Sequence, residues 1–385
     1  MRKRTLKKLT SVDLFCGAGG FTEGFKRAGF KTIFATDFDE MAVKTFKFNH
    51  TTVPTAVADI TTVNKDFIIN TCESSKINVD AVIGGPPCQG FSIAGQRIPE
   101  DPKNKLVLEY IRIVSELNPA GFVFENVPGI ISMQDGAVLR ALEFEFERLG
   151  YSVKSKILNP VDYGVPQSRP RFVMVGLLGK DHRVKTPSFN FPNPTHCKSN
   201  DDQLTLFNNI QLEPYVTVDE ALSDLIMLEA GSGLEETNHK SRYLSDYQTQ
   251  RKGRRRPGKL FNHRATNHSD KIKKRYSLIP QGGTNRDIPK KYRTKKINVF
   301  KLHPELPSNT VTCNFRTDLL NPWVPRGLTV REAARLQSFD DDYCFFGNLT
   351  RKAKFVTQDD QVGNAVPPIL AKAIAKELSK YITNG

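Results

Sequence analysis

The stretch Asp13–Phe25, DLFCGAGGFTEGF, begins apolar, passes through three glycines within four positions and ends on two phenylalanines spaced four apart. A short apolar strand that runs through glycine into an amphipathic helix makes a tight strand-to-helix turn. Glycine at such a turn lets the backbone approach a ligand closely. Gly17-Ala18-Gly19 supplies the first half of a dinucleotide fingerprint, but Thr22 stands where the third glycine belongs. A plain structural turn explains the motif about as well as a ligand loop does, so its neighbours have to decide.

Outward from this stretch, short apolar runs alternate with helical ones. SVDLF, KTIFATD, TAVAD, VDAVIGG, GFVFEN, SVKSKIL and RFVMVGLL read as strands bounded by Gly, Pro or Asp. Between them Phe21, Phe25 and Ala28 share a helical face. So do Met41, Thr45 and Phe48; Leu106, Tyr110, Ile113 and Leu117; and Leu139, Leu142, Phe146 and Leu149. The alternation predicts an α/β fold, a doubly wound, mostly parallel sheet with helices on both faces. Such sheets bind ligands beyond the carboxyl ends of their strands.

That edge collects the residues with chemistry. Asp37 ends the second strand, where a carboxylate binds ribose hydroxyls, and Phe38 beside it offers a ring to stack on a purine or to fill a core. Asp59 ends the third and either accepts from an adenine amino group or caps the next turn. Three such strand ends in succession favour an adenosine-bearing cofactor. The fourth strand leads into GGPPCQGFS, in which Pro86 and Pro87 leave few conformations to lose and present Cys88, an intrinsically nucleophilic thiol. The polar run SIAGQRIPEDPKNK that follows is long enough to act as a lid. Glu125 ends the fifth strand, where burial would favour its protonated, donating form. Arg169 and Arg171 lie two apart at the entry to another strand, on one face if extended, able to fork onto a carbonyl, a phosphate or Glu125.

The 385 residues carry a formal charge of +15. Between positions 251 and 300 there are 17 Lys or Arg against Asp270 and Asp287, so nearly all of the excess sits there. A like-charged block is relieved by a polyanion, which points to nucleic acid. Cys16, Cys72, Cys88, Cys197, Cys313 and Cys344 form no CxxC pair, so neither a zinc site nor a disulfide framework is expected. The basic start is followed by no long apolar run, and no membrane-length apolar segment occurs. A soluble, cytoplasmic setting is the expectation. After about residue 185 the alternation breaks down, through SFNFPNPTHCKSNDDQ and a short helix in VTVDEALSDLIML, into the basic block. Order returns in the helices of LTVREAARLQSF and VPPILAKAIAKELSKYI, the latter with proline in its first turn.

In order along the chain these motifs resemble those of the cytosine-C5 DNA methyltransferases of the restriction-modification type. DLFCGAGG resembles the family's first motif; TDFDEMA and ADI the next two; GGPPCQGFS its catalytic loop; FENVPGI its glutamate motif; and DYGVPQSRPR its paired arginines. RGLTVREAARLQSF and QVGNAVPP resemble the last two, while the intervening region matches only loosely, mainly at PSNTVTCN.

The resemblance implies a class I, Rossmann-like methyltransferase domain at 1–185 plus 355–385, and a smaller irregular target-recognition domain with its hinge at 186–354. It implies S-adenosylmethionine held by Phe15, Gly17, Gly19, Gly20, Asp37, Phe38, Asp59, Ile60, Pro87, Asn364 and Ala365. It gives Cys88 the role of adding to C6 of a flipped cytosine and Glu125 that of contacting N3 and the exocyclic amine, with Arg169 and Arg171 in support. Duplex DNA would be met by the basic block, with Arg251, Lys252, Arg254, Arg255, Arg256, Lys273, Lys274 and Arg275 as candidates. A monomer, a separately acting restriction endonuclease and no metal complete the expectation. An RNA methyltransferase is the rival reading, although the Cys-Phe-Thr signature of the tRNA-modifying branch is absent; a catalytically silent DNA-binding homologue is another.

Overall fold

Strand and helix alternate through the first half of the chain in a computed structural model that describes residues 8–74, 76–87, 102–179, 184, 188–198, 212–225, 227–239, 242–296, 298–349 and 355–382. The order is β1 (Thr10–Leu14), α1 (Gly20–Arg27), β2 (Lys31–Asp37), α2 (Glu40–Asn49), β3 (Thr55–Val57), α3 (Lys65–Thr71), β4 (Ala81–Gly84), α4 (Pro102–Leu117), β5 (Gly121–Asn126), α5 (Ala137–Arg148), β6 (Tyr151–Leu158) and β7 (Arg171–Leu178). The seven strands form one sheet in the order β3-β2-β1-β4-β5-β7-β6. Neighbours from β3 to β5 pair in parallel, whereas β7 runs antiparallel to both β5 and β6.

Alternate residues of β2 serve two cores, which is what a sheet covered on both faces requires. Phe34 packs into the large cluster with Val82, Phe122 and Phe124 of the sheet, Tyr110 of α4 and Phe146 of α5, while Ala35 packs on the other face with Phe46 of α2. The rings of Phe122 and Phe146 stack at 4.0 Å. α2 starts where Asp39 accepts from the backbone N–H groups of Met41 and Ala42, both at 2.9 Å. Chain order reverses between β1 and β4: β2 and β3 extend the sheet one way and β5 the other. The loops after β1 and β4 therefore flank a topological switch point, the crevice where open α/β sheets bind ligands.

The chain divides into two compact units, Met1–Asn159 with Pro170–Asn193 and Leu370–Gly385, and Pro160–Arg169 with Pro194–Ile369. This differs from the expected boundaries in three places. Residues 188–193 join the first unit, where Phe189 packs on Tyr381 at 5.2 Å and the Asn190 N–H donates to the Tyr381 hydroxyl. Residues 160–169 join the second, where Gln167 donates to Gln337 and the Thr195 N–H to the Asp162 carbonyl. Residues 355–369 also join it, held by Gln358 to Glu235 and by Gln337 to the Val362 carbonyl. α12 (Pro368–Leu378) continues into the first unit at Leu370.

In the second unit, short parallel pairs join β8 (His196–Cys197) to β9 (Glu213–Pro214) and β12 (Phe300–Lys301) to β13 (Leu319–Leu320). An antiparallel ribbon joins β10 (Gly233–Asn238) to β11 (Lys259–Arg264). Its helices are α6 (Val218–Leu222), α7 (Asp246–Arg251), α8 (Asp270–Leu278), α9 (Phe315–Asp318), α10 (Val330–Leu336) and α11 (Gln358–Asn364). α10 is buried along its whole length although it carries Arg331 and Arg335, with Arg326 just before it also buried. Each cation is paired internally, as burial demands. Arg326 meets Glu332 at 2.8 Å; Arg335 meets Asp224 at 2.9 Å and Asp341 at 2.6 Å; Arg331 donates to the carbonyls of Phe261 and Asp340. Arg326 holds the Glu332 carboxyl down at about 2 against the cost of its burial. Among the described residues, no helix is long and apolar enough to cross a membrane and no group of three acidic, His or Cys side chains is arranged to hold a metal.

Candidate active site

The loop after β1 is built of left-handed residues. Phe15 has φ 56°, Gly17 φ 50° and Gly19 φ 92°. For Phe15 this conformation costs of order 1–3 kcal/mol, the kind of strain that gathers at ligand sites. The Asp37 carboxylate locks the loop across the sheet: Oδ2 accepts from the Gly17 N–H at 2.8 Å and Oδ1 from the Asp39 N–H at 3.0 Å. Burial pushes the Asp37 carboxyl up in spite of these bonds. An added Cβ on Gly17 would meet nothing within 4 Å, so open space faces the loop. Beside it Phe38 is 77 % exposed, a large ring that no core claims. Glycine backbone, a fixed carboxylate and an open aromatic face together fit an adenosine-bearing group.

Thr22, at the position expected for a third glycine, has a task of its own. Its hydroxyl donates to Asp13 Oδ2 at 2.6 Å beneath the loop, at a carboxyl that is fully buried. Burial pushes Asp13 up to about 7, against the lowering effect of the Thr22 bonds, with the nearby Asp37 charge adding to the rise. Since the folded protein holds this proton well above the ordinary carboxyl range, the contribution of Asp13 to stability is full below about pH 4 and is lost as pH rises through about 7. Asp13→Asn keeps the shape and removes the titration. The stability of wild type relative to this variant is expected to fall by on the order of 4 kcal/mol between pH 4 and pH 8. Denaturant unfolding of both proteins across that range measures it, and a pH-independent difference would refute it.

Asp59 takes the capping role, one of the two that the sequence left open for it, and Ile60 is buried. Asp59 is exposed, and its Oδ1 accepts from the N–H of Thr61 at 2.9 Å and its hydroxyl at 2.8 Å. These bonds lower its pKa and make it the cap of the turn Ile60–Thr62. Its Oδ2 has no protein partner among the described residues. The Ile60 side chain lies in the hydrophobic core, and its carbonyl accepts from Arg112 at 3.1 Å. Asn364 and Ala365 lie at the end of α11 in the second unit, where Asn364 Oδ1 accepts from the Cys313 thiol.

At the end of β4 the glycines are required by packing. A Cβ on Gly84 would come within 2.6 Å of the Leu14 carbonyl and 2.9 Å of the Tyr110 ring, and one on Gly85 within 2.9 Å of Glu125 Oε2. Cys88 and the lid segment lie outside the described residues; Pro87, exposed, is the last one before them. Two side chains not anticipated from the sequence, Asn126 and Tyr110, bond to this loop and to the strands that carry it. Asn126 Nδ2 donates to the Pro86 carbonyl at 2.9 Å, and the Tyr110 hydroxyl lies 3.2 and 3.0 Å from the carbonyls of Val82 on β4 and Val123 on β5. A polar residue ending an apolar strand and a tyrosine on a buried helical face were the available signals.

The antiparallel course of β7 brings Arg171 to Glu125. In this register Asn126 faces Phe172, so the start of β7 lies beside the end of β5. Arg171 Nε sits 3.1 Å from Glu125 Oε1, with both side chains 13 % exposed. Burial lowers the Arg171 pKa and the Glu125 charge raises it again. Arg169 does not join this pair. It is buried in the second unit and its guanidinium donates to the carbonyls of Val311, at 2.6 Å, and Gly363. The spacing of two places the arginines on one face only within a strand, and β7 begins at Arg171.

The expected DNA contacts divide in the same way. Arg251 is 5 % exposed and donates to the Ser338 carbonyl at 2.8 Å. Arg255 and Arg256 are half-buried and bonded to Asp342, and Arg275 Nε donates to the Tyr292 carbonyl. Lys273 pairs with Asp270 at 2.7 Å, while Lys252, Arg254 and Lys274 are exposed. Arg251 is therefore corrected from a surface cation to an internal one, because its charge is taken up by a carbonyl and by Asp340 at 3.5 Å.

Comparison with known proteins agrees with this geometry. A family profile described as C-5 cytosine-specific DNA methylase matches residues 9–380. The Type II methyltransferase M.DdeI of Desulfomicrobium norvegicum is 36% identical over 392 residues, covering 97% of this chain and 89% of that one. The Type II methyltransferase M1.HphI of Haemophilus parahaemolyticus is 36% identical over 382 residues, covering 98% and 88%. Among solved structures, one described as a DNA modification methyltransferase encoded within a prophage (E. coli) superposes with a TM-score of 0.75 at 27% identity, covering 97% of this chain and 99% of that one. A DNMT2 mutant of Spodoptera frugiperda, at 15% identity with a TM-score of 0.59 and covering 96% and 99%, shares the fold. With a reversed seventh strand in an otherwise parallel sheet, a glycine loop at the switch point and a family match over nearly its whole length, the chain belongs to the C-5 cytosine-specific DNA methylases and is a DNA (cytosine-5-)-methyltransferase.

Proposed function

We propose that this enzyme methylates C5 of a cytosine rotated out of duplex DNA, through a transient bond between the Cys88 sulfur and C6. The observation that carries the reading is the Glu125–Arg171 pair beside the Gly85–Pro87 loop, whose next residue is Cys88. S-adenosylmethionine, when bound, supplies the methyl group as an electrophilic sulfonium. Phe15, Gly17, Gly19, Gly20, Asp37 and Phe38 are the residues assigned to hold it, with Asp59, Ile60, Pro87, Asn364 and Ala365 as further candidates. The orphan oxygen of Asp59 and the open face of Phe38 support an adenine there.

C5 of cytosine is unreactive toward an electrophile while the ring is aromatic. Attack of the Cys88 thiolate at C6 breaks that aromaticity and makes C5 enamine-like. Glu125 donates a hydrogen bond or proton at N3 as the ring gains electrons, the electrostatic stabilisation that commonly dominates in such sites. Arg171 fixes the carboxyl by its 3.1 Å contact, and Asn126 fixes the loop through the Pro86 carbonyl. C5 then bonds to the methyl group, a base takes the C5 proton, and the electron pair so released expels Cys88 as its thiolate while N3 gives back to Glu125 any proton it received, which restores the ring. None of these atoms is reachable in a stacked duplex, so the base is extruded at a cost of a few kcal/mol.

As its relatives are named Type II methyltransferases, we infer a role in protecting host DNA at the site of a separate restriction endonuclease. The protein acts on this reading as a monomer, with units resembling catalytic and target-recognition domains. Duplex DNA containing 5-fluorocytosine tests the chemistry, because fluorine at C5 blocks the final elimination. Incubation with enzyme and methyl donor is expected to leave a covalent adduct at Cys88 by peptide mass spectrometry. An adduct at another residue, or none while unmodified duplex is methylated, would overturn the mechanism.

A further inference from the structure

We propose that the sequence-independent DNA-backbone contact is made by the lysine face of the 270–296 segment, and that the arginine-rich run Arg251–Arg256 is an internal anion nest. The proposal rests on the DNA reading above and divides a block of cations that the sequence presents as uniform.

The arginine-rich run wraps a carboxylate of its own chain. The backbone N–H groups of Arg255 and Arg256 both donate to Asp342 Oδ2, at 2.5 and 2.9 Å. Successive N–H groups aimed at one oxygen form the concave nest that binds anions. Gly253, at φ 81°, makes room for it: a Cβ there would lie 2.4 Å from Asp342 Cγ. The side chains close the enclosure. Arg255 Nη1 lies 3.4 Å from Asp342, Arg256 Nη1 donates to the Asp342 carbonyl at 3.0 Å, and Arg251 reaches Asp340 and the Ser338 carbonyl. The place a phosphate would take is filled by Asp342.

The 270–296 segment is arranged the other way. It folds on a small core of Tyr276, Ile279, Ile288, Val299 and Leu320, with Ile272 and Tyr292 packed against it. Ile272 and Tyr276 set the inner face of α8, which leaves Lys271 and Lys274 exposed. Arg275 ties the turn Lys290–Tyr292 to the helix through the Tyr292 carbonyl, and Lys290 and Lys291 on that turn are exposed. Asn285 donates to the carbonyls of Thr294 and Lys296, so exposed Arg286 and Lys295 stand on neighbouring strands of the loop.

Every carboxylate at hand is already engaged. Asp270 pairs with Lys273, Asp318 with Lys296, and Asp287 accepts from the N–H and hydroxyl of Thr284. Lys271, Lys274, Arg286, Lys290, Lys291 and Lys295 thus have no carboxylate within ion-pair distance among the described residues. A rigid module that displays six cations without counter-charge repels itself unless a polyanion covers it. Five are lysines, point charges without the fork that reads a base edge; Arg286 apart, the patch suits phosphate oxygens and carries no sequence information of its own.

The test is equilibrium binding of the full-length enzyme to duplex DNA over 50–200 mM salt, for wild type, for Lys271→Gln/Lys274→Gln/Lys290→Gln/Lys291→Gln, and for Arg251→Met. The quadruple variant is expected to keep its thermal midpoint while the slope of log K against log salt becomes shallower by roughly 3 to 4, about 0.9 per lost phosphate contact. The loss should be equal on cognate and non-cognate duplexes. Arg251→Met is expected to lower the thermal midpoint and leave the slope unchanged. If wild type binds with a steep slope and the quadruple variant keeps it, or if the quadruple variant loses only binding to anionic vesicles, the lysine face is not the contact. If wild type shows no salt-dependent duplex binding at all, the DNA reading fails first.

Discussion

Cys88→Ser is expected to lower the rate of methyl transfer by roughly 10⁵-fold or more, with the affinities for duplex DNA and methyl donor changed by no more than a few-fold. Serine differs from cysteine by one atom, so the loop geometry set by Pro86, Pro87 and the Asn126 bond is kept. What is lost is nucleophilicity. A thiol with a pKa of about 8.5 is a few per cent thiolate at neutral pH and intrinsically reactive, whereas a serine hydroxyl needs an adjacent general base. The described residues around the loop offer a carboxyl already paired with Arg171, and an asparagine amide. Single-turnover transfer of labelled methyl groups, with anisotropy titrations of DNA on the same preparation, separates chemistry from binding. A variant within tenfold of wild type would reject covalent catalysis by this residue; one that lost duplex binding in parallel would give Cys88 a structural role instead.

The fold was legible where burial on both faces leaves uninterrupted apolar runs. GFVFEN and RFVMVGLL coincide with β5 and β7 at both ends, and KTIFATD with β2. An apolar run, however, carries no direction. The reversal of β7, which brings Arg171 rather than Arg169 to Glu125, is a property of pairing and not of composition. The same limit explains the arginine-rich run. RKGRRR reads as a solvated cationic patch because its guest, Asp342, lies 86 residues beyond Arg256. The burial of Arg331 and Arg335 in RGLTVREAARL was equally invisible, since their partners Phe261 and Asp224 come from other parts of the chain. Local features such as the glycine loop and the carboxylates at the ends of β2 and β5 were readable; partners set by tertiary folding were not.

Glu125→Gln is expected to reduce kcat by about 10²–10⁴-fold, the usual loss when a positioned proton donor is removed, while KM for DNA moves little. Glutamine keeps the size of the side chain and an oxygen for Arg171 Nε, so it still fits beside Gly85, where an added Cβ would lie 2.9 Å from Oε2. Its amide can still donate to a ring nitrogen but cannot give up a proton, and it leaves the guanidinium of Arg171 without its counter-charge. Since burial already lowers the Arg171 pKa and Glu125 offsets this, the variant carries a second, structural cost of about 1–3 kcal/mol. The two costs are distinguishable. Arg171→Lys retains the Glu125 carboxyl and loses the guanidinium Nε contact to Oε1, so it is expected to show the stability loss with a smaller fall in kcat. Thermal unfolding and steady-state methylation of both variants give the comparison. If Glu125→Gln retained a tenth or more of wild-type kcat, or if both variants lost activity only in proportion to the fraction unfolded, Glu125 would be a scaffold for Arg171 and the donation at N3 would have to come from another group.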